Sequence, residues 1–139
     1  MDYVVDLDPT HRVLRTTVTT LVLDDEAFKE MNRSIARLAN TGGPYAAAIL
    51  DLSQVADFPL SSDTVRALAA AAPPEPASAP RVIVAPQPVQ YGLSRMFELH
   101  RDAMGVEVQV VHSMDEAYEF LKVSPEDFTE HLFPDEVAA

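Results

Sequence analysis

The stretch YAAAILDLSQVADFPLSS, residues 45–62, begins with an apolar run in which hydrophobic and polar residues do not alternate. From Tyr45 to Leu52 both faces of an extended chain are apolar. That pattern belongs to a central strand covered by helices on both sides. Pro44 opens the strand, and Ser61 or Ser62 starts a helix whose Val65 and Leu68 recur at helical spacing. A buried strand followed at once by a helix start is the unit of an α/β fold.

The same alternation continues on both sides. Toward the N-terminus, Tyr3 to Leu7 reads as a strand, Asp8-Pro9-Thr10-His11 as a type I turn, and the Val- and Thr-rich Arg12 to Leu23 as its antiparallel partner. Asp24 or Asp25 then caps a helix carrying Phe28, Met31, Ile35 and Leu38 on one face, ended by Asn40-Thr41-Gly42-Gly43.

Toward the C-terminus, the proline-rich segment Pro73 to Pro80 is an extended crossover loop, too short to separate two domains. Arg81 to Ala85 is a second buried strand, closed by Pro86 and Pro88. The next helix places Leu93, Met96, Phe97, His100 and Met104 on one face, and Gly105 stops it. Val106, Val108 and Val110 alternate with Glu107 and Gln109, as in a strand near a sheet edge that offers itself to pairing with a second copy of the chain. Ser113 caps a helix from Asp115 to Lys122, with Glu116 completing a capping box. The fold class expected is therefore α/β: a mixed sheet of about five strands, an N-terminal antiparallel hairpin and then parallel strands, covered by about four helices. Residues 1–124 form the domain, and residues 125–139, with Pro125, Pro134 and many acids, a short acidic helix or frayed tail.

Composition narrows the function classes. The chain has 139 residues, enough for one domain with a core, and 47% hydrophobic content fits a globular protein. Its apolar runs are far short of a bilayer span, and the opening Met-Asp-Tyr-Val-Val-Asp has no basic region of a signal peptide. The absence of cysteine excludes disulfides, thiolate metal sites and cysteine catalysis, and suits a cytoplasmic location. A net charge of −12 argues against nucleic acid and anionic membranes as partners.

Two segments resemble a known superfamily. "ILDLSQVADFPLSS" resembles the signature of the STAS (sulfate transporter and anti-sigma factor antagonist) superfamily, where a hydrophobic strand ends in Asp-Leu-Ser and Phe-x-x-Ser-Ser follows at the next helix start. "VIVAPQPVQYGLSRMFE", residues 82–98, is similar to the SpoIIAA-like branch of small bacterial proteins, as is the closing "VHSMDEAYEFL". The resemblance covers residues 3 to 122. It implies a non-enzymatic regulatory domain that binds another protein, with Ser61, the first of the pair, as the favoured phospho-acceptor position and Ser62 beside it. The anti-sigma antagonists carry Asp before the serines and Gly after them, where this chain has Leu60 and Asp63.

Each candidate site has a plainer explanation beside the functional one. Hydroxyls at a helix start satisfy backbone N–H groups, typically worth about 1 kcal/mol each, and capping accounts for Ser61 and Ser62 on its own. A phosphate there would meet the positive end of the helix dipole, with Arg66 one turn away to pair with it. The carboxyl ends of the parallel strands supply Ser53, Gln87, Tyr91 and His112, along with Asp51, Pro86 and Ser113, as a crevice for a small amphipathic ligand or lipid, the alternative partner. Arg95 either grips an anionic group or pairs with Glu98 or Asp102. The four histidines lack metal-pair spacing, so no metal or cofactor is expected. No nucleophile elbow, phosphate loop or catalytic triad stands out, and the chain does not read as an enzyme.

Overall fold

A computed structural model describes residues 3–31, 33, 45–70, 80–102 and 107–132, without the side chains of Leu68, Ala69 and Asp102. The expected termination of the first helix, Ile35 and Leu38, the proline-rich segment before Pro80, Leu68 as a core side chain, and Met104 to Val106 all lie outside the described residues or side chains.

The hairpin forms as expected from β1 (Tyr3–Asp8) and β2 (Val13–Val18), paired antiparallel with Leu7 opposite Leu14. The Asp8 carboxylate closes the turn by accepting the Thr10 and His11 N–H groups at 2.9 and 3.1 Å, and Arg12 takes a left-handed φ of 60°. The second strand ends at Val18, well before Leu23. Beyond it the chain leaves the sheet and bonds to the loop after the next strand: Ala56 and Asp57 N–H both donate to the Leu21 carbonyl at 2.9 Å, and Leu23 N–H donates to Asp57 O at 3.0 Å. Helix α1 (25–31) follows, capped by Asp24, whose carboxylate accepts the Ala27 N–H at 2.9 Å.

Then come β3 (Ala47–Asp51), α2 (Ser62–Ala70), β4 (Arg81–Val84), α3 (Pro88–Asp102), β5 (Val108–Val111) and α4 (Met114–Leu121). The sheet has six strands in the order β5-β4-β3-β2-β1-β6, parallel from β2 to β5 and antiparallel in the hairpin. The strand at 47–51 lies in the interior of the sheet, as its two apolar faces require.

The sixth strand corrects the expected five, while residues 133–139 of the expected short helix or tail lie outside the described residues. Pro125–Asp127 is a single 3₁₀ turn, and β6 (Glu130–Leu132) pairs antiparallel with β1, Leu132 opposite Val5. Phe128 anchors this segment: it is buried beside Tyr118, with the Arg15 guanidinium 4.5 Å from its ring centroid. No apolar periodicity announces so short an element.

Three apolar clusters pack on the sheet, the smallest being Val5, Leu7, Leu14 and Tyr45 at the hairpin, and the two larger ones flank its faces. On one face α1, α2 and α3 bring Phe28, Met31, Val65 and Phe97 onto Val18, Leu52, Ile83, Val108 and Val110. On the other, α4 sets Ala117 over Ile49, Val82, Val84 and Val111, with Phe128 and Val123 beside it. α4 lies between β5 at one edge and β6 at the other, so it must run across the face the other helices leave open. Val111 faces this second core while Val108 and Val110 face the first, so β5 is covered on both sides. His100, expected inward on α3, is exposed.

Candidate functional site

The carboxyl ends of β2 to β5 converge on one rim made of the loops at 19–24, 52–61, 85–88 and 112–113. Most of the candidate residues gather there; the Ser61 hydroxyl and the Gln87 amide are engaged within the protein.

Asp51 is buried, and its carboxylate accepts the Ser53 N–H at 2.9 Å. An Asx turn of this kind explains why an acid ends the strand. Ser53 itself is exposed. Val55, two residues on, is buried, and its carbonyl accepts two side-chain amides: Gln87 Nε2 at 3.1 Å and Gln90 Nε2 at 2.9 Å. Gln87 caps α3, since its carbonyl accepts the Tyr91 N–H at 2.9 Å, and Pro88 takes the first helical position, where an N–H is not needed. The loop after β3 is thereby tied to the start of α3. Tyr91 stacks on His112, ring centroids 4.2 Å apart and planes 11° from parallel. Gln87, Tyr91 and His112 are thus brought to the end of β4 and β5, as the crevice reading requires. The Gln87 amide, however, is engaged by Val55 and one His112 face by Tyr91.

The serine pair sits at the start of α2. Ser61 is the N-cap: Thr64 N–H donates to its Oγ at 3.0 Å, and Oγ lies 2.9 Å from Thr64 Oγ1. Asp25, from the first turn of α1, accepts the Ser61 backbone N–H at 3.2 Å and lies 3.4 Å from its Oγ. Asp25 plays the part a glutamate three residues on would play in a capping box. Ser62, the first helical residue, is exposed, and its hydroxyl makes no hydrogen bond among the described residues. Arg66 does not turn toward Ser61; its guanidinium pairs with Asp63 at 2.6 Å. Arg95 pairs with Glu98. Arg66 and Arg95 therefore stand outside the rim cluster, held by neighbours one turn away.

Several features escaped the sequence reading. Helix α3 buries a polar row, Gln90, Ser94, Glu98 and Arg101, at helical spacing. Spacing alone marks these positions, but a polar residue on a helix is solvated by default. The groups that draw them inward are backbone ones: the Val55 carbonyl for Gln90 and the Val110 N–H for Glu98, the latter at 2.9 Å. Asp8, His11 and Asp127 also converge, their donor atoms all within 4.8 Å of one another. The two carboxylates are already engaged in shaping the backbone. Asp8 closes the hairpin turn and lies 2.7 Å from His11 Nδ1, and Asp127 accepts the Ser124 N–H at 2.9 Å. Asp127 is too far along the chain for spacing to have suggested it. On the same sheet face, Asp6 is met by Arg15 at 3.1 Å and His131 at 2.9 Å, and Arg15 also donates to the Tyr118 hydroxyl at 3.0 Å.

Beside exposed polar residues such as Ser53, Gln54, Asp57 and Gln87, the rim also exposes large apolar side chains. Leu21, Val22 and Val89 are 67%, 50% and 64% exposed. Leu21 and Val22 ride on the loop bonded to residues 56 and 57, and Val89 on the first turn of α3, which the Gln87 and Gln90 amides tie to Val55. No helix among the described residues is long and apolar enough to cross a membrane. No protein-family model, curated protein or solved structure matches the chain.

Proposed function

We propose that this chain is a non-enzymatic, cytoplasmic regulatory domain of the STAS-like type, related to the SpoIIAA-like branch, that works by docking another protein on the rim beside the start of α2. One observation carries the reading: large apolar side chains stand exposed on rim loops that are cross-braced by backbone and amide hydrogen bonds. Single exposed apolar residues need no explanation, but three of them on segments braced to one another suit a partner surface, because little ordering entropy is lost on binding.

The switch position is the serine pair, and Ser62 is the better acceptor of the two. Among the described residues its hydroxyl holds no neighbour in place, whereas a phosphate on Ser61 would remove the cap and face the Asp25 carboxylate. The ligand-carrier alternative draws on the Tyr91–His112 stack. It is the weaker reading, since Gln87, the amide best placed to orient a ligand, is held by Val55.

The test is affinity capture from the native cell with three baits: the wild type, Leu21→Asp/Val89→Asp, and Phe120→Asp as a control on the outward face of α4. All substituted side chains are exposed, so stability should stay within about 0.5 kcal/mol per site. Proteins retained by the wild type and by Phe120→Asp should be lost with the double rim variant. Identical sets from all three baits would end the proposal.

A further inference from the structure

Strand β5 forms one edge of the sheet. Arg81 and Ala85 N–H donate to the Glu107 and Val111 carbonyls at 3.0 and 2.9 Å, so the odd-numbered residues face β4 and the even-numbered ones turn their backbone groups outward. A row of this kind is a template for a further strand. Two of its N–H groups are already taken. Val110 N–H donates to Glu98 Oε2 at 2.9 Å, and His112 N–H donates to Glu116 Oε2 at 2.8 Å.

The two carboxylates arrive from opposite sides of the sheet. Glu98 belongs to α3, on the face that packs Val108 and Val110, and Glu116 belongs to α4, on the face that packs Val111. Glu98 is buried and its other oxygen is paired with Arg95, which fixes the carboxylate in place and balances its charge. A carboxylate offers only acceptors. It therefore satisfies the edge donor and repels the carbonyls of any strand that approaches.

We propose that Glu98 and Glu116 lock the β5 edge, and that the occupant they shut out is β5 of a second copy of this chain. The side chains of β5 are already covered on both faces, so its edge has only backbone to offer, and an antiparallel copy related by a two-fold axis matches that backbone group for group. The homodimer route suggested by the valine alternation is thus the one the fold keeps closed.

Sedimentation velocity on wild type, Glu98→Gln and Glu98→Leu/Glu116→Leu tests the lock. Glu98→Gln keeps an acceptor on the same stem and should sediment as the wild type. The double leucine variant should move to a species of twice the wild-type mass. A folded double variant that sediments as the wild type overturns the proposal. A second measurement does not depend on any variant folding. Among the described residues no acceptor meets the outward Val108 N–H, so in the wild type the Val110 amide should exchange with solvent at least about tenfold more slowly than that of Val108, the protection a charged acceptor gives. Equal rates would also overturn it.

Discussion

Removing the two amides that hold the Val55 carbonyl should destabilise the protein more when both are absent than the single losses predict. The carbonyl belongs to a residue only 1% exposed and accepts Gln87 Nε2 and Gln90 Nε2 together. Gln90→Met keeps the length of the stem and removes the donor; Gln87→Ala removes the other donor at the mouth of α3. In either single variant the remaining amide still satisfies the carbonyl, so each loses one ordinary hydrogen bond, about 1 kcal/mol. In the double variant the carbonyl is buried with no donor, which adds a desolvation penalty of about 1–3 kcal/mol. The total then reaches about 3–5 kcal/mol, with a coupling term equal to the added penalty. Urea denaturation of the four proteins, analysed as a double-mutant cycle, measures that term. Losses that add within about 0.5 kcal/mol would refute the view that the two glutamines share one acceptor and brace the rim through it.

Ser61→Ala should lower stability by about 1 kcal/mol, the worth of an N-cap, in the same denaturation assay. Ser61→Asp should recover much of that loss only when Asp25 is also changed to Asn, because Asp25 otherwise faces the new carboxylate. Burial would raise the Asp8 carboxyl, but hydrogen bonds from the His11 backbone, its ring and the Thr10 N–H outweigh it and hold the group below the ordinary 3.8. Its stabilising contribution is therefore complete above that value and lost as pH falls through the lower folded value; Asp8→Asn should flatten the acid limb of a stability–pH curve below about pH 4. Burial, with Arg101 nearby, depresses Arg81 to about 10, so its charge is carried at a disadvantage in the folded state. Arg81→Met should hold or raise the unfolding free energy at neutral pH, by up to about 1 kcal/mol.

Apolar pattern was enough to find β3, β4 and β5 and to put the first two inside the sheet, because burial on both faces leaves a two-sided apolar run. Caps were legible for a similar reason: Asp24, Ser61 and Ser113 each sit where an orphan N–H needs an oxygen. The Glu116 side chain reaches one residue past the expected partner, to His112 N–H. Partners that depend on distant backbone were not legible. Gln90 and Glu98 look like solvated helix residues until the Val55 carbonyl and the β5 edge are placed beside them. Val18 ends its strand because Leu21 and Val22 turn aside to the loop at 55–57, a tertiary choice invisible to β-propensity. Arg66 illustrates a different shortfall: Ser61 lies five residues back, but Asp63 lies three back on the same helix face and is already charged.

Strand β6 has a bearing on the order in which the molecule assembles. His131 meets Asp6 across 125 positions of chain. Joining two points so far apart in a free chain sacrifices on the order of 4 kcal/mol of loop-closure entropy, more than three residues of edge pairing and one imidazole–carboxylate contact can return by themselves. The final strand can therefore settle only on a hairpin that the remaining elements have already brought near. For the same reason it should be the first part of the sheet to open, where amide exchange and proteases gain their earliest access.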